Sequence, residues 1–298
     1  MNSSSPELRA RLSLISSMLI FGTIGVFVRY IPLPSSMIAA VRALVGTLFL
    51  LLVIRLKGQK LDLQAIRKNL GVLAVSSVCM AFNWILLFEA YRYTTVATAT
   101  LCYYLAPVFV VLASPFLLRE RLTLPKALCA ALALLGMLLV SGVLEGNAAG
   151  SDNLKGVLFG LGAAVLYATV VLLNKRLKDI SAYDQTSMQL GISALVLIPY
   201  VLLTESPTAL LSLDGRGFLL LLAVGVVHTG FAYAMYFGSM KHLRAQTIAL
   251  YSYVDPVAAI LISALFLKES MGLADVVGAI LVLGSTFLSE RLDKSAQK

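Results

Sequence analysis

Asp255, a carboxylate within an apolar segment, is the side chain most clearly suited to a chemical role. Asp255 lies near the middle of the apolar stretch 245–267, where a carboxylate costs roughly 2.5–3.5 kcal/mol on membrane-insertion scales. A carboxylate at this depth can carry a proton or anchor a substrate ammonium. The alternative is a structural role, in which Asp255 caps backbone amides freed by the adjacent Pro256.

Two further ionisable side chains lie in apolar segments. Arg42 could hold a substrate carboxylate with two hydrogen bonds; alternatively it forms a structural ion pair with Glu89 or Asp255, or reaches the outer interface. His228 can change charge near neutral pH; alternatively it is neutral and bonded to a neighbouring helix.

Prolines occur at matching places in the two halves of the chain. Pro107 and Pro256 each remove a backbone hydrogen bond from a long apolar segment and should kink or break the helix. We expect both to act as hinges rather than to contact substrate. A packing kink is the alternative.

Aromatic and amide side chains within the apolar segments are expected to line a central cavity, and four of the tyrosines lie just before the matched prolines. Aromatic walls with a few polar groups suit a zwitterionic or partly apolar ligand, although helix packing explains some of them. The set comprises Asn83, Trp84, Tyr103, Tyr104, Tyr167, Tyr233, Tyr251 and Tyr253. Adjacent Tyr103 and Tyr104 should not both face the cavity, because neighbours on a helix lie about 100° apart.

Three glutamates mark helix ends. Glu89 is a candidate outer gate, although an interfacial charge is the commoner explanation. Glu120 and Glu269 recur at equivalent ends, and we expect them to cap helices or loops.

Composition indicates an integral membrane protein. The 298 residues are 59% apolar and only 13% charged, whereas soluble domains carry about 25% charge. The net charge of +9 comes from basic residues between apolar stretches, which indicates topology rather than nucleic-acid binding. Three cysteines and two histidines lack metal-site spacing. Without a phosphate-binding loop or catalytic motif, we expect no cofactor, metal or enzyme activity.

The second half of the chain repeats the first at an offset of 149 residues, as Phe82/Phe231 and Tyr104/Tyr253 illustrate. Apolar stretches of roughly 20 residues predict ten transmembrane helices. These are 12–29, 35–55, 69–91, 95–117, 125–143, 155–174, 184–203, 217–240, 245–267 and 272–289.

Basic residues predict the orientation, because Lys and Arg concentrate in cytoplasmic loops. Most of the 24 basic residues fall on one side when both termini are cytoplasmic. Five helices per half then make the repeats inverted. The predicted domains are a first repeat at 1–145, an outer linker at 146–154, a second repeat at 155–290 and a basic cytoplasmic tail at 291–298.

The paired segments ending in Ala-Pro107 with Glu120, and in Asp-Pro256 with Glu269, resemble the EamA-type domains of the drug/metabolite transporter superfamily. The resemblance covers nearly the whole chain and implies an exporter of amino acids, metabolites or drugs, with a cavity open alternately to each side. Because the two halves are fused in one chain, we expect a monomer.

We therefore expect a secondary transporter that exports a small metabolite such as an amino acid, with protons as a coupling ion. We expect the protein to lie in the bacterial inner membrane. An exchanger of organic anions or sugar phosphates and a drug efflux carrier are alternatives. The single midplane cation, Arg42, disfavours the anion exchanger. A channel subunit or a membrane enzyme is a weaker alternative than either of these carriers.

Overall fold

The structure is a computed structural model. It describes residues 6–93, 99, 102–120, 122–140, 153–206 and 208–258, followed by scattered positions between 262 and 288. The predicted tail 291–298, linker residues 146–152 and Glu269 lie outside the described residues.

The described part of the chain is helical and contains no strand. Its first half contains α1 (Pro6–Arg29), α2 (Ser35–Leu56), α3 (Leu63–Tyr93), α4 (Ala106–Leu118) and α5 (Leu124–Val140). Its second half contains α6 (Asn153–Asn174), α7 (Ala182–Thr204), the short α8 (Thr208–Leu211), α9 (Gly215–Ala223), a π-helical segment (Val224–Phe231), α10 (Ala232–Met240) and α11 (Ala245–Tyr251).

Six of the described helical stretches are long and apolar enough to cross a membrane. They are Pro6–Val28, Ser35–Leu56, Leu63–Leu87, Leu154–Asn174, Ala182–Thr204 and Gly215–Met240. Shorter apolar helices cover Ala106–Leu118 and Leu124–Gly136. The all-helical membrane architecture is thus present, whereas ten spans with both termini cytoplasmic stay a prediction.

Helix ends differ from the predicted bounds where polar residues extend a helix beyond its apolar run. α3 begins at Leu63, six residues before the predicted start at 69, and the Asp62 carboxylate accepts a hydrogen bond from Ala65 N at 2.9 Å. Ser181 caps α7 in the same way. These capping residues satisfy backbone N–H groups that have no partner within the helix.

The helices pack in pairs that the repeat relates to one another. α2 packs on α7, its own repeat equivalent. The pair α3–α6 has its counterpart in α1–α10, and the pair α3–α7 has its counterpart in α2 with the π-helical segment. The central core lies where these pairs meet, and it contains large side chains with almost no exposure, among them Leu14, Leu50, Leu190 and Phe237.

The predicted eighth helix, 217–240, is interrupted by the π-helical segment. The equivalent stretch of the first half lies in α3, which is regular α-helix throughout. Hydropathy does not distinguish the two patterns, because a π-helical turn changes the hydrogen bonding without changing the composition.

Candidate functional site

A cavity of about 440 Å³ lies among helices of both halves. Residues of α1, α2, α3, α6 and α10 line it, together with the segments around 103–107 and 252–255. Apolar and aromatic side chains make up most of the lining, with Arg42 and Asp255 as its charged groups. Val28, Ser35 and Leu87 lie towards the end of the bundle where α1 connects to α2.

Arg42 is held against two neighbours at the cavity wall. Its Nε donates a hydrogen bond to Thr229 Oγ1 at 2.9 Å, and its guanidinium carbon lies 5.0 Å from the centre of the Trp84 ring. Within the described residues Arg42 forms no ion pair, so the alternative role in an ion pair with Glu89 or Asp255 is not seen. A half-buried guanidinium without a carboxylate partner suits an anionic ligand group.

Asp255 reaches the cavity from the other repeat. Tyr104 Oη lies 3.4 Å from Asp255 Oδ2, which is a long and therefore weak hydrogen bond. Among the described side chains no cation pairs with Asp255. The carboxylate is half-buried, so it can interact with a cationic group of a ligand or exchange a proton with water in the cavity.

Tyrosines form the aromatic wall of the cavity. Tyr167 and Tyr236 share a hydrogen bond of 2.7 Å between their hydroxyl oxygens, and the Tyr103 ring lies 5.7 Å from that of Tyr167. Tyr233 also lines the cavity, and its ring centre is 6.2 Å from that of Trp84.

The expectation that Tyr103 and Tyr104 cannot share a cavity is wrong, because both line this one. Regular helix ends at Tyr103, and the chain turns through Tyr104 and Leu105. Leu105 N bonds to Cys102 O at 3.2 Å, a three-residue spacing. The angle of about 100° between neighbours holds only in a regular α-helix.

The chain turns just before each of the matched prolines. α4 begins at Ala106 with Pro107 in its first turn, a position where the missing N–H is tolerated. In the second half α11 ends at Tyr251, Ser252 and Tyr253 form a turn, and residues 254–258 are helical again around Pro256. Pro107 lines the cavity, whereas Pro256 is buried outside it.

The two breaks are joined by a hydrogen bond between repeat equivalents. Tyr253 Oη donates to the backbone oxygen of Tyr104 at 3.0 Å. Tyr253 is fully buried and supports the break in the other half instead of lining the cavity.

Four other predicted site residues lie away from the cavity lining. Asn83 is buried and donates to Ala163 O at 2.6 Å, tying α3 to α6. His228 is 2% exposed and shares a 2.8 Å hydrogen bond with Thr23 Oγ1. Tyr251 belongs to the buried core, and Glu89 is half-buried on α3 outside the cavity.

Several lining residues were not identified from the sequence. No residue of α1 was singled out, yet Met18, Phe21 and Gly22 line the cavity. They are apolar residues in an apolar helix, so no sequence signal separates them from lipid-facing neighbours. Tyr236 had a signal, because it follows Tyr233 by three positions on the same helix face.

Glu120 connects the halves in the way expected for a capping residue. Its carboxylate oxygens accept hydrogen bonds from Ala245 N at 2.8 Å and Gln246 N at 3.3 Å, at the start of α11. The side chain of Gln246 also donates to Ser114 Oγ at 2.8 Å. The end of α4 is therefore bonded to the beginning of α11.

A second cavity of about 230 Å³ lies near the loop between α6 and α7, beside the end of α10, and it is more polar. Lys175 lines it and donates to Met240 O and Leu243 O; burial lowers the pKa of this amine, and the charge of Glu120 partly offsets the effect. Asp179 also lines it, and its hydrogen bond with Lys68 lowers the pKa of the Asp179 carboxyl.

The two cavities are separated at α10. Tyr236 lines the larger cavity and Phe237 lines the smaller one, although they are adjacent in sequence. Both side chains are 1% exposed. Among the described residues, no cluster of three His, Cys, Asp or Glu side chains could hold a metal ion.

A duplicated helical membrane protein with a cavity between its halves defines the class of multi-pass membrane transporters. The sequence profile of the EamA-like transporter family matches residues 8–142 and 154–291. The chain belongs to the EamA-like transporter family, and it is accordingly a transporter and not an enzyme.

Relatives agree with this assignment. The chain is 30% identical over 288 residues to the uncharacterized transporter YxxF of Bacillus subtilis, covering 96% of this chain and 91% of that one. It is 26% identical over 283 residues to an uncharacterized transporter of Archaeoglobus fulgidus, covering 94% and 95%. It is 27% identical over 214 residues to protein RarD of Salmonella typhimurium, covering 69% and 67%.

The fold is also found in a solved crystal structure. That structure superposes with a TM-score of 0.84 over 95% of this chain and 98% of its own, at 20% sequence identity. The likeness establishes the fold alone.

Proposed function

We propose that this protein is a secondary transporter for zwitterionic amino acids with a large apolar or aromatic side chain. It works in the cell inner membrane by alternating access, as a monomer that exports its substrate with protons as the coupling ion. The observation that carries the proposal is that Arg42 and Asp255 line the same cavity.

The carboxylate, the ammonium and the side chain of an amino acid each have a matching group on the cavity wall. Arg42 is placed to hold the carboxylate, and Asp255 is placed to hold the ammonium. The side chain of the substrate packs among the aromatic residues Trp84, Tyr103 and Tyr233. The volume of about 440 Å³ falls in the range of about 300–1,000 Å³ common for small-molecule sites.

Alternating access is supported by the placement of the two cavities. With the orientation expected from the basic residues, the larger cavity lies towards the outer side and the smaller one towards the cytoplasm. Tyr236 and Phe237 lie between them. Movement of the halves at the breaks before Pro107 and Pro256 would close one access route and open the other.

Ligand binding to purified protein tests the substrate class. L-phenylalanine carries both charges, L-phenylalaninamide lacks the carboxylate, and 3-phenylpropanoate lacks the ammonium. We expect the Kd of each analogue to exceed that of L-phenylalanine by roughly tenfold or more, because a hydrogen bond to a charged group contributes about 1.5–3 kcal/mol.

Two variants test whether Arg42 recognises the substrate carboxylate and Asp255 the substrate ammonium. Arg42→Gln should remove the preference for L-phenylalanine over its amide, and Asp255→Asn should remove the preference over 3-phenylpropanoate. Asp62→Asn is the matched control, because Asn is an equally good helix cap at this exposed position. Equal Kd values for all three ligands in the wild-type protein would overturn the proposal.

A further inference from the structure

We propose that Thr229 is a positioning residue that fixes the Arg42 guanidinium for carboxylate recognition, with the π-helical segment Val224–Phe231 as its support. This inference rests on the proposed function, because it assumes that Arg42 meets a substrate carboxylate. It adds a specificity determinant that does not itself line the cavity.

The hydroxyl of Thr229 donates a hydrogen bond to one group and accepts a hydrogen bond from another. Thr229 Oγ1 donates to Val224 O at 2.8 Å and accepts from Arg42 Nε at 2.9 Å. Because a hydroxyl has one hydrogen, donation to the carbonyl leaves its lone pairs for the guanidinium. The residue is fully buried, so water does not compete for these bonds.

This arrangement leaves the binding end of Arg42 free. A guanidinium has five N–H donors, of which Nε carries one and the two terminal nitrogens carry four. Among the described residues, Thr229 is the only hydrogen-bond partner of Arg42. The Trp84 ring packs against the guanidinium, so the terminal nitrogens keep one orientation at the cavity wall.

The π-helical turn explains why Thr229 lies within reach. The carbonyl that its hydroxyl contacts lies five residues earlier in the chain, which is the spacing of a π-helix. π-helical turns inside α-helices occur frequently at functional sites. The segment thereby places the threonine hydroxyl between its own backbone and Arg42.

Close packing fixes α2 against this segment. A Cβ atom added to Gly225 would lie 2.4 Å from Val45 Cγ1, and one added to Gly230 would lie 2.7 Å from Phe49 Cδ1. Val45 and Phe49 follow Arg42 by three and seven positions, so they share its face of α2. The absence of side chains at the two glycines therefore sets the separation between Arg42 and Thr229.

The repeat shows that this pair is not part of the duplicated scaffold. Thr229 corresponds to Met80 at the offset of 149, and the approximate counterpart of Arg42 is Gln189. Gln189 instead lies in a buried polar cluster, where its Nε2 donates to Ser76 Oγ at 2.6 Å. The arrangement of Arg42 with Thr229 is thus specific to one side of the cavity.

Binding of L-phenylalanine and L-phenylalaninamide to Thr229 variants tests the inference. Thr229→Val keeps the shape and removes the hydroxyl, and we expect the Kd of L-phenylalanine to rise about tenfold while that of the amide stays within twofold. Thr229→Ser keeps the hydroxyl and should retain the selectivity for the carboxylate. In an Arg42→Gln background, Thr229→Val should add less than a twofold change.

The possible outcomes distinguish a failure of the inference from a failure of the proposed function. Equal losses for both ligands, or additive losses in the double variant, would show a general structural role and overturn the inference. Unchanged selectivity in Thr229→Val would also overturn it. If Thr229→Val does not fold, loss of carboxylate selectivity in Thr229→Ser rejects the inference. A wild-type protein with no preference for the carboxylate, or with no binding of L-phenylalanine, instead rejects the proposed function.

Discussion

At the scale of single residues, the proposed mechanism uses Arg42 for recognition alone, whereas Asp255 both holds the substrate ammonium and carries the coupling proton. Arg42 is held by Thr229 and Trp84, whereas Asp255 has only the long contact with Tyr104 among the described side chains. A fixed cation is suited to recognition, and a loosely held carboxylate is suited to gaining and losing a proton. We therefore assign proton coupling to Asp255.

Asp255→Asn should remove the dependence of transport on the pH gradient, because the amide cannot take up or release the coupling proton. Uptake into proteoliposomes with and without an imposed gradient measures this. Asp62→Asn, which is exposed in the loop between α2 and α3, should keep the wild-type dependence. An Asp255→Asn protein that still responds fully to the gradient would exclude this carboxylate from coupling.

At the scale of helices, the breaks in the fourth and ninth predicted spans are the elements expected to move. Pro107→Ala and Pro256→Ala should slow turnover several-fold while leaving the Kd for substrate within about twofold, because alanine permits continuous helix at the break. Pro115→Ala is the control, since Pro115 lies inside α4 and away from the break. Wild-type turnover in both variants would contradict the hinge hypothesis.

The contact between α4 and α11 makes a separate prediction about stability. Glu120→Ala removes both acceptors at the start of α11, and helix-capping interactions contribute about 1 kcal/mol. We expect a thermal unfolding midpoint about 2 °C lower in detergent. Glu120→Gln keeps one acceptor and should fall between Glu120→Ala and wild type. An unchanged midpoint in Glu120→Ala would show that the cap contributes nothing.

The sequence predicted the positions of the long helices and of their breaks better than it predicted the π-helical segment and the residues that line the cavity. Hydropathy located the long helices, and the matched prolines marked both breaks, because spans and prolines leave local signals. The π-helical segment and the contributions of α1 left none, since they depend on how helices pack. Likewise His228 and Asn83 were plausible cavity residues by type, yet their hydrogen bonds tie helices together.

At the scale of the whole molecule, the repeats are expected to lie inverted in the membrane with both termini in the cytoplasm. Cysteine labelling tests this after Cys79, Cys102 and Cys129 are replaced by alanine. An impermeant maleimide should label Ser206→Cys in intact cells and Lys60→Cys only after lysis, since both positions are exposed and lie in loops predicted on opposite sides. The reverse pattern would contradict the orientation inferred from the basic residues.

Counterflow of labelled L-phenylalanine into proteoliposomes is the measurement that tests the central claim most directly. Vesicles preloaded with unlabelled substrate should take up the label rapidly and saturably. Uptake should depend on the pH gradient and be much reduced in Arg42→Gln. Folded protein that moves neither L-phenylalanine nor any other amino acid of a full panel would contradict the account.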